Sequence, residues 1–307
     1  MSILRLEPAF KDYLWGGNRM RERFGFKTDL PCIAEAWVLS AHPDGPGLLP
    51  DLGGLPFEEW LKDAGKEAAG EHCGQDERFP VLVKLIDAAS DLSIQVHPDD
   101  AYALEHEGSA GKTEFWYVLE AESGAGLYCG FKREVTKEEF AARIADDTLT
   151  EILNRVPVKK GDSFFISPGT IHAIGKGILL AEIQQNSNIT YRVYDYGRTG
   201  ADGKRRELHV DKALEVTKRV PYKESNAGEH LAESAYFTVD KAELINGGYK
   251  GRAGEESFVH LLFTEGRGQV INGNTEAEYS PGTSLFLPAG SGDFMISGTG
   301  EVLVTRV

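Results

Sequence analysis

Cysteine is scarce in this 307-residue chain: Cys32, Cys73 and Cys129 are an odd number and include no CxxC pair. That scarcity excludes a disulfide framework and a cysteine zinc site, and makes the reducing cytoplasm the expected compartment. No run of 18 uncharged apolar residues occurs, and residues 1–15 (MSILRLEPAFKDYLW) interleave charge with apolar side chains, so neither a membrane span nor a signal peptide is expected. Basic residues are in deficit, 33 Lys and Arg against 48 Asp and Glu, for a net charge of −15. Such a surface repels a nucleic-acid backbone or an anionic membrane, so neither is an expected partner. An anionic small ligand would need a local basic cluster that works against the global field. HExxH and GxSxG patterns are both missing. Gly108-Ser-Ala-Gly-Lys112-Thr113 looks like the end of a phosphate-binding P-loop, but His106 stands where the first glycine belongs and the order is helix, loop, strand. Gly124-Ala-Gly126 lacks the third glycine of a dinucleotide fingerprint and precedes a strand, which makes it a turn.

What is present fits an ordinary globular protein, with 41% apolar and 26% charged residues, and a length that suggests two domains or one with a large insertion. Short segments rich in Val, Ile and aromatics, separated by Gly, Pro or Asp, predict strands at 79–87, 92–97, 114–122, 126–131, 162–167, 178–185 and 189–196. This is the pattern of an all-β sandwich or barrel. Helices are expected over 57 to about 69, 99–107, 137–156 and 209–219. The third is read as a pair, marked by two capping boxes, Thr136 with Glu139 and Thr148 with Glu151. After a polar stretch around 221–228 the pattern is almost purely strand, with turns at Asn246-Gly247, Asn272-Gly273 and Pro281-Gly282. The expected division is 1–228, carrying helical insertions at about 56–70 and 136–156, and 229–307.

Leu92-Ser-Ile-Gln95-Val-His97-Pro98 puts Gln95 and His97 two apart on a strand, so their side chains leave one face while Leu92, Ile94 and Val96 take the other. A lone strand of this kind could equally be a solvent face. Glu114 opens the next strand, and His172 closes the unit Gly161-Asp-Ser-Phe-Phe-Ile-Ser-Pro168-Gly169-Thr-Ile-His172. Two imidazoles, a carboxylate and an amide oxygen on strands suit zinc, with a position left for water or substrate.

The Gly161–His172 unit resembles the second cupin motif. The fuller run of LWGG (14–17), LSIQVHPDD, GKTEFWY, SPGTIHAIGKG and LLAEIQQNSNITYRVYDYGR is similar to type I mannose-6-phosphate isomerases in their short bacterial form, over residues 1 to about 220. The resemblance implies a mainly β fold, a cupin (jelly-roll) β-barrel with helical insertions, and one Zn²⁺ per chain on His97, Glu114 and His172. Gln95 is implied as a fourth ligand or a substrate contact, and Arg192 as an essential arginine. Lys84, Lys112 and Glu182 fall where the family keeps polar active-site groups, and Arg198 where longer members carry a lysine. The long additional helical domain of other members is absent.

The residues themselves leave more open. Lys84 is the one charge in an apolar run, at a strand rim or aimed into a polar pocket. Arg192 and Glu182, taken alone, could be ordinary exposed charges; beside a metal set they become candidates for phosphate or hydroxyl recognition. His42, His72, His106, His209, His230 and His260 fit no ligand pattern and are mostly expected at the surface or in turns. Asp99 and Asp100 are expected to cap a helix, and Trp15, Trp37, Trp60 and Trp116 to lie in the core, with Trp15 a candidate wall of the site.

Gly282-Thr-Ser-Leu-Phe-Leu-Pro288-Ala-Gly290-Ser-Gly-Asp293 repeats the rhythm of the first unit with Asp293 in place of the histidine, so a second, smaller, metal-free cupin-like domain is expected. The activity the resemblance implies is interconversion of mannose 6-phosphate and fructose 6-phosphate through an enediol. Arg192, Glu182 and Lys112 are its catalytic candidates and Lys84, Arg198 and Gln95 its substrate contacts. Two other readings stand beside it, an iron-dependent cupin dioxygenase and a non-catalytic sugar-phosphate-binding cupin. The expected partner is a small phosphorylated sugar, and the expected state a cytoplasmic monomer or homodimer.

Overall fold

The computed structural model describes residues 3–73, 78–199, 203–223, 230–245 and 248–307. The chain forms two compact units, one of Met1–Lys11, Asn18–Leu85 and Asn226–Val307, the other of Asp12–Gly17 and Ile86–Ser225. The division read from the sequence near residue 228, and the Asn246-Gly247 turn, lie outside the described residues. No helix among the described residues is long and apolar enough to cross a membrane.

In the second unit, an antiparallel sheet runs in the order Leu153–Pro157, Gly126–Phe131, His172–Ala173, Ile94–Val96, Tyr191–Tyr194. Its alternation decides which side chains do chemistry. Ile94, Val96, Ile171, Ala173, Tyr191 and Val193 pack against Phe140 and Ile144 of the helix Lys137–Ala145 and Ala213 of the helix Val210–Val216. With a period of two, the residues between them (Gln95, His172 and Arg192) go to the opposite face. The register places His172 and Arg192 on either side of Gln95. Three further strands pair within the unit, Ser163–Ile166, Glu114–Ala121 and Ile178–Gln185, with Glu114 opposite Gln184 and Trp116 opposite Glu182. The strand segments expected from the sequence are therefore present: 126–131 and 178–185 match, 79–87 is Val81–Ala88, and the others are shorter by one or two residues at one or both ends.

The helices required more correction. Asp99 caps Asp100–Glu107 by accepting from the Tyr102 N–H, and Thr136 caps Lys137–Ala145 by accepting from that of Glu139. The expected second helix of that pair does not form. Leu149–Glu151 makes a single 3₁₀ turn and the chain enters the strand Leu153–Pro157. The Thr148–Glu151 box is pre-empted, because Arg143 donates to the Thr148 hydroxyl at 3.2 Å and to the Glu151 carboxylate at 2.7 Å. The helix expected to reach about residue 69 ends at Ala64, where Gly65 turns away at φ +82°; Lys66–Ala68 is one 3₁₀ turn. The 209–219 helix is Val210–Val216.

The first unit carries an antiparallel sheet ordered Leu4–Leu6, Ser284–Leu287, Val259–Asn272, Gly292–Arg306, Thr238–Leu244, Ala232–Glu233. Its two long strands pair along most of their length around a core of Val259, Leu261, Phe263, Leu285, Leu287, Val302 and Val304. They cross closely enough that a Cβ at Gly266 would lie 1.7 Å from the Thr299 carbonyl oxygen, so glycine is required there. Residues 18–85 group with this sheet and not with 86–225, because Phe57 and Phe79 pack on Phe286 and the Ser284 hydroxyl donates to the Val38 carbonyl at 2.6 Å.

Candidate metal centre

Within the second unit the two histidines come from one sheet and the carboxylate from a strand outside it. His97 follows the Ile94–Val96 strand, His172 opens its own, and Glu114 begins Glu114–Ala121. His172 Nε2 lies 3.2 Å from Glu114 Oε1 and His97 Nε2 lies 3.5 Å from Oε2. Among the described residues these three form the group of donors that could hold a metal, all within 4.8 Å of one another and all buried.

The tautomers support that use. His97 Nδ1 faces the Ile189 carbonyl at 2.8 Å and His172 Nδ1 the Thr170 carbonyl at 2.9 Å. A carbonyl can only accept, so each ring carries its proton on Nδ1 and turns the Nε2 lone pair inward, the usual orientation of a metal-ligating histidine. Burial, reinforced by the Lys112 charge, lowers the His172 pKa to about 4, so the ring is neutral, as a ligand must be. A cation already sits against the donors: the Lys112 ammonium is 2.9 Å from Glu114 Oε2 and 3.3 Å from His97 Nε2. A neutral, neutral, anionic donor set that attracts a cation fits zinc.

The P-loop-like stretch proves to be the holder of Lys112. Its N–H donates to the Pro98 carbonyl at 3.0 Å, the Gly111 N–H donates to Asp100 Oδ1 at 2.8 Å, and the Thr113 N–H donates to Gln185 Oε1 at 2.8 Å. Gly111 lies against the Asp99 backbone so tightly that a Cβ would come within 2.5 Å of it. Asp99 is thus the helix cap of the expected pair, while Asp100 fastens this loop.

Glu182 accepts from Trp116 Nε1 at 2.9 Å and lies 4.0 Å from Lys112 Nζ. Gln95 Nε2 is 3.4 Å from His172 Nε2, beside the donor set. Arg192 is not a free surface charge: among the described residues its side chain is tied by hydrogen bonds, with Asp195 and Glu207 attracting its charge. Its Nε donates to the Ser93 hydroxyl at 3.2 Å and its Nη1 to the Glu207 carbonyl at 3.0 Å. Arg198 is fastened to Asp195, which also accepts two hydrogen bonds from Arg206, at 2.7 and 2.6 Å. Burial alone would raise the Asp195 pKa, but the bonds from Arg206 and Arg198 outweigh it and hold the carboxyl below its ordinary value. Lys84 belongs to the first unit, where it is buried 3.7 Å from Glu35 Oε2 and over the Trp37 ring. The strand-rim alternative is therefore excluded.

Sequence reasoning overlooked Ser93, Asp195, Arg206 and the hydrogen-bonding use of Trp116. Ser93 sits two before Gln95 and could have been found by the same alternation; Asp195 and Arg206 are eleven residues apart and had no local signal. The expectation for His260 is corrected. It is fully buried in the first unit, its Nε2 2.9 Å from the Ser284 hydroxyl, because the long strand carrying it runs through the core. Asp293 is mostly exposed and pairs with Arg252 at 2.9 Å.

The antiparallel sheets and the buried His, Glu, His set define a cupin with a candidate metal centre. A family model for the phosphomannose isomerase type I catalytic domain matches residues 3–119, and one for the mannose-6-phosphate isomerase cupin domain matches residues 227–307. The chain is 40% identical to a probable mannose-6-phosphate isomerase of Bacillus subtilis over 99% of its own length and 98% of that protein's. It belongs to the type I mannose-6-phosphate isomerase family. The crystal structure of the mannose 6-phosphate isomerase from Bacillus subtilis superposes with a TM-score of 0.91 at 35% identity, covering all of both chains. A zinc-bound mannose 6-phosphate isomerase shares the fold at 18% identity, TM-score 0.79, over 99% of each chain.

Proposed function

We propose that this chain interconverts D-mannose 6-phosphate and D-fructose 6-phosphate, with one zinc ion per chain on His97, Glu114 and His172. The observation that carries the metal site is the pair of Nδ1–H tautomers, which aims both Nε2 lone pairs at Glu114. Full-length similarity to isomerases of these sugars supports the substrate. Zinc, when bound, supplies a Lewis acid for the sugar oxygens near C1 and C2.

The reaction moves a proton between C1 and C2 through an enediol, so the site must hold negative charge developing on oxygen and must carry a proton. Lys112 and Glu182, 4.0 Å apart and buried, are the proton-carrying candidates. Arg192 faces the same side of its sheet as Gln95 and His172, where its charge can stabilise an enediolate or the phosphate. Arg192, Arg198 and Arg206 against the Asp195 and Glu207 carboxylates still leave a positive surplus, the local cluster that an acidic chain needs to take up a dianion. Gln95 is assigned to the metal or the adjacent sugar hydroxyls. We place the enzyme in the cytoplasm, as a monomer or homodimer.

The test is incubation of the protein with fructose 6-phosphate in D₂O, followed by NMR of the sugars. Mannose 6-phosphate should form, with any deuterium confined to C2 of the aldose and C1 of the ketose. No mannose 6-phosphate, or label elsewhere, contradicts the assignment.

A further inference from the structure

Arg192 lies in the strand at the edge of its sheet, where among the described residues one side of the backbone has no neighbouring strand. The segment 207–209 fills that role. The His209 N–H donates to the Arg192 carbonyl at 2.7 Å, and the Arg192 N–H donates to His209 Nδ1 at 3.3 Å. A third tie holds the side chain, from Arg192 Nη1 to the Glu207 carbonyl at 3.0 Å. The segment is itself anchored, because the His209 carbonyl accepts from the Ala213 N–H in the first turn of Val210–Val216.

We infer that His209 is a positioning residue for Arg192, acting through the lone pair on its Nδ1; the inference rests on the role proposed above for Arg192. A peptide N–H can only donate, so Nδ1 must accept and the ring must carry its proton on Nε2. A proton added to Nδ1 sets two N–H groups against each other and removes one of the two ties on the Arg192 backbone. The charged groups around the ring are Glu207 on its own segment, Lys212 on the following helix, Arg192 on the strand and Glu107 from Asp100–Glu107, with the Tyr191 ring 6.1 Å away. Burial, with Arg192 and Lys212, holds the imidazole below its ordinary pKa against the two acids, which keeps the accepting form.

The experiment compares His209→Ala, His209→Asn and Arg192→Ala as zinc-loaded enzymes. Asparagine places an acceptor oxygen where Nδ1 was and does not titrate. His209→Ala should lower kcat/KM by on the order of ten- to a hundredfold, the cost of a misplaced group, with metal content at the wild-type level. His209→Asn should recover most of that loss. Between about pH 7.5 and pH 5.5 its kcat/KM should fall less than that of the wild type, because its acceptor cannot be protonated. Nitrogen-15 NMR of the wild type should show His209 Nδ1 as an unprotonated acceptor at neutral pH, a readout independent of turnover and of how the variants fold. An inactive Arg192→Ala beside two fully active His209 variants overturns the positioning role and leaves the reading of Arg192 standing. A fully active Arg192→Ala overturns that reading itself, and an Nδ1–H tautomer at His209 overturns the inference whatever the kinetics.

Discussion

The Arg192 side chain is held by the Ser93 hydroxyl and the Glu207 carbonyl, and the acid facing it from within the fold, Asp195, is already bonded to Arg198 and Arg206, so removing Arg192 strands no unpaired counter-charge. Arg192→Ala should therefore fold and bind zinc as the wild type does. Its kcat/KM should fall by about a hundredfold, since charge stabilisation in a water-poor site is worth on the order of 3 kcal/mol. Arg192→Lys should restore only part of it, because an ammonium cannot present the guanidinium fork. Near-full turnover of the alanine variant would make Arg192 a structural residue. The two buried histidines separate by chemistry. His172 aims Nε2 at a carboxylate, whereas His260 gives its Nε2 proton to Ser284, whose own proton goes to the Val38 carbonyl. Zinc content should be lost in His172→Ala and kept in His260→Gln; equal content in both would remove His172 from the ligand set. At this scale alternation drew attention to His97 and a glycine-proline frame to His172, while Glu114 and the joint assignment of the three to a metal came from the family resemblance. Lys84 and Arg192 were legible only as charges in apolar strands, and their partners were not.

At the scale of elements, the strands were read well because a half-buried sheet imposes a period of two that short windows reveal. The helix after Ala145 was misread, because a Thr-x-x-Glu pattern reports capping capacity and not whether a competitor, here Arg143, takes both groups. The loop at 108–113 shows the opposite case. Its glycines were rightly refused as a nucleotide site, yet their purpose was visible only once Gly111 was seen against the Asp99 backbone. Gly111→Ala should displace Lys112 from Glu114 and lower kcat by tenfold or more, about the cost of losing a positioned proton carrier. Circular dichroism should report an unchanged fold. Wild-type kcat in this variant would show that Lys112 needs no such placement.

For the whole molecule, the cysteine count, charge balance and strand-rich pattern limited the class, and the motif order identified the family. The grouping of residues 18–85 with the C-terminal sheet was not legible, since it rests on contacts such as Phe57 with Phe286 that lie far apart in sequence. Two fully buried histidines also set a stability profile. Burial lowers His172 to about 4 and His260 to about 3, from the ordinary value of 6.5. The unfolded chain binds these protons below 6.5 while the folded chain refuses them until about 4 and 3, so stability is full above 6.5 and falls as pH drops through that window. The urea midpoint of the metal-free protein should decline between pH 7 and about pH 4.5; a flat profile would mean that both rings take up protons in the fold as readily as in the unfolded chain.

The account as a whole rests on a metal held by His97, Glu114 and His172 and required for the sugar reaction. Its most direct test is the rate of mannose 6-phosphate formation from fructose 6-phosphate in chelator-treated protein, before and after Zn²⁺ is returned, with bound zinc measured in the same samples. The rate should vanish with the metal and return in proportion to zinc bound, reaching its maximum at one ion per chain. Undiminished turnover in protein shown to be free of metal would contradict it.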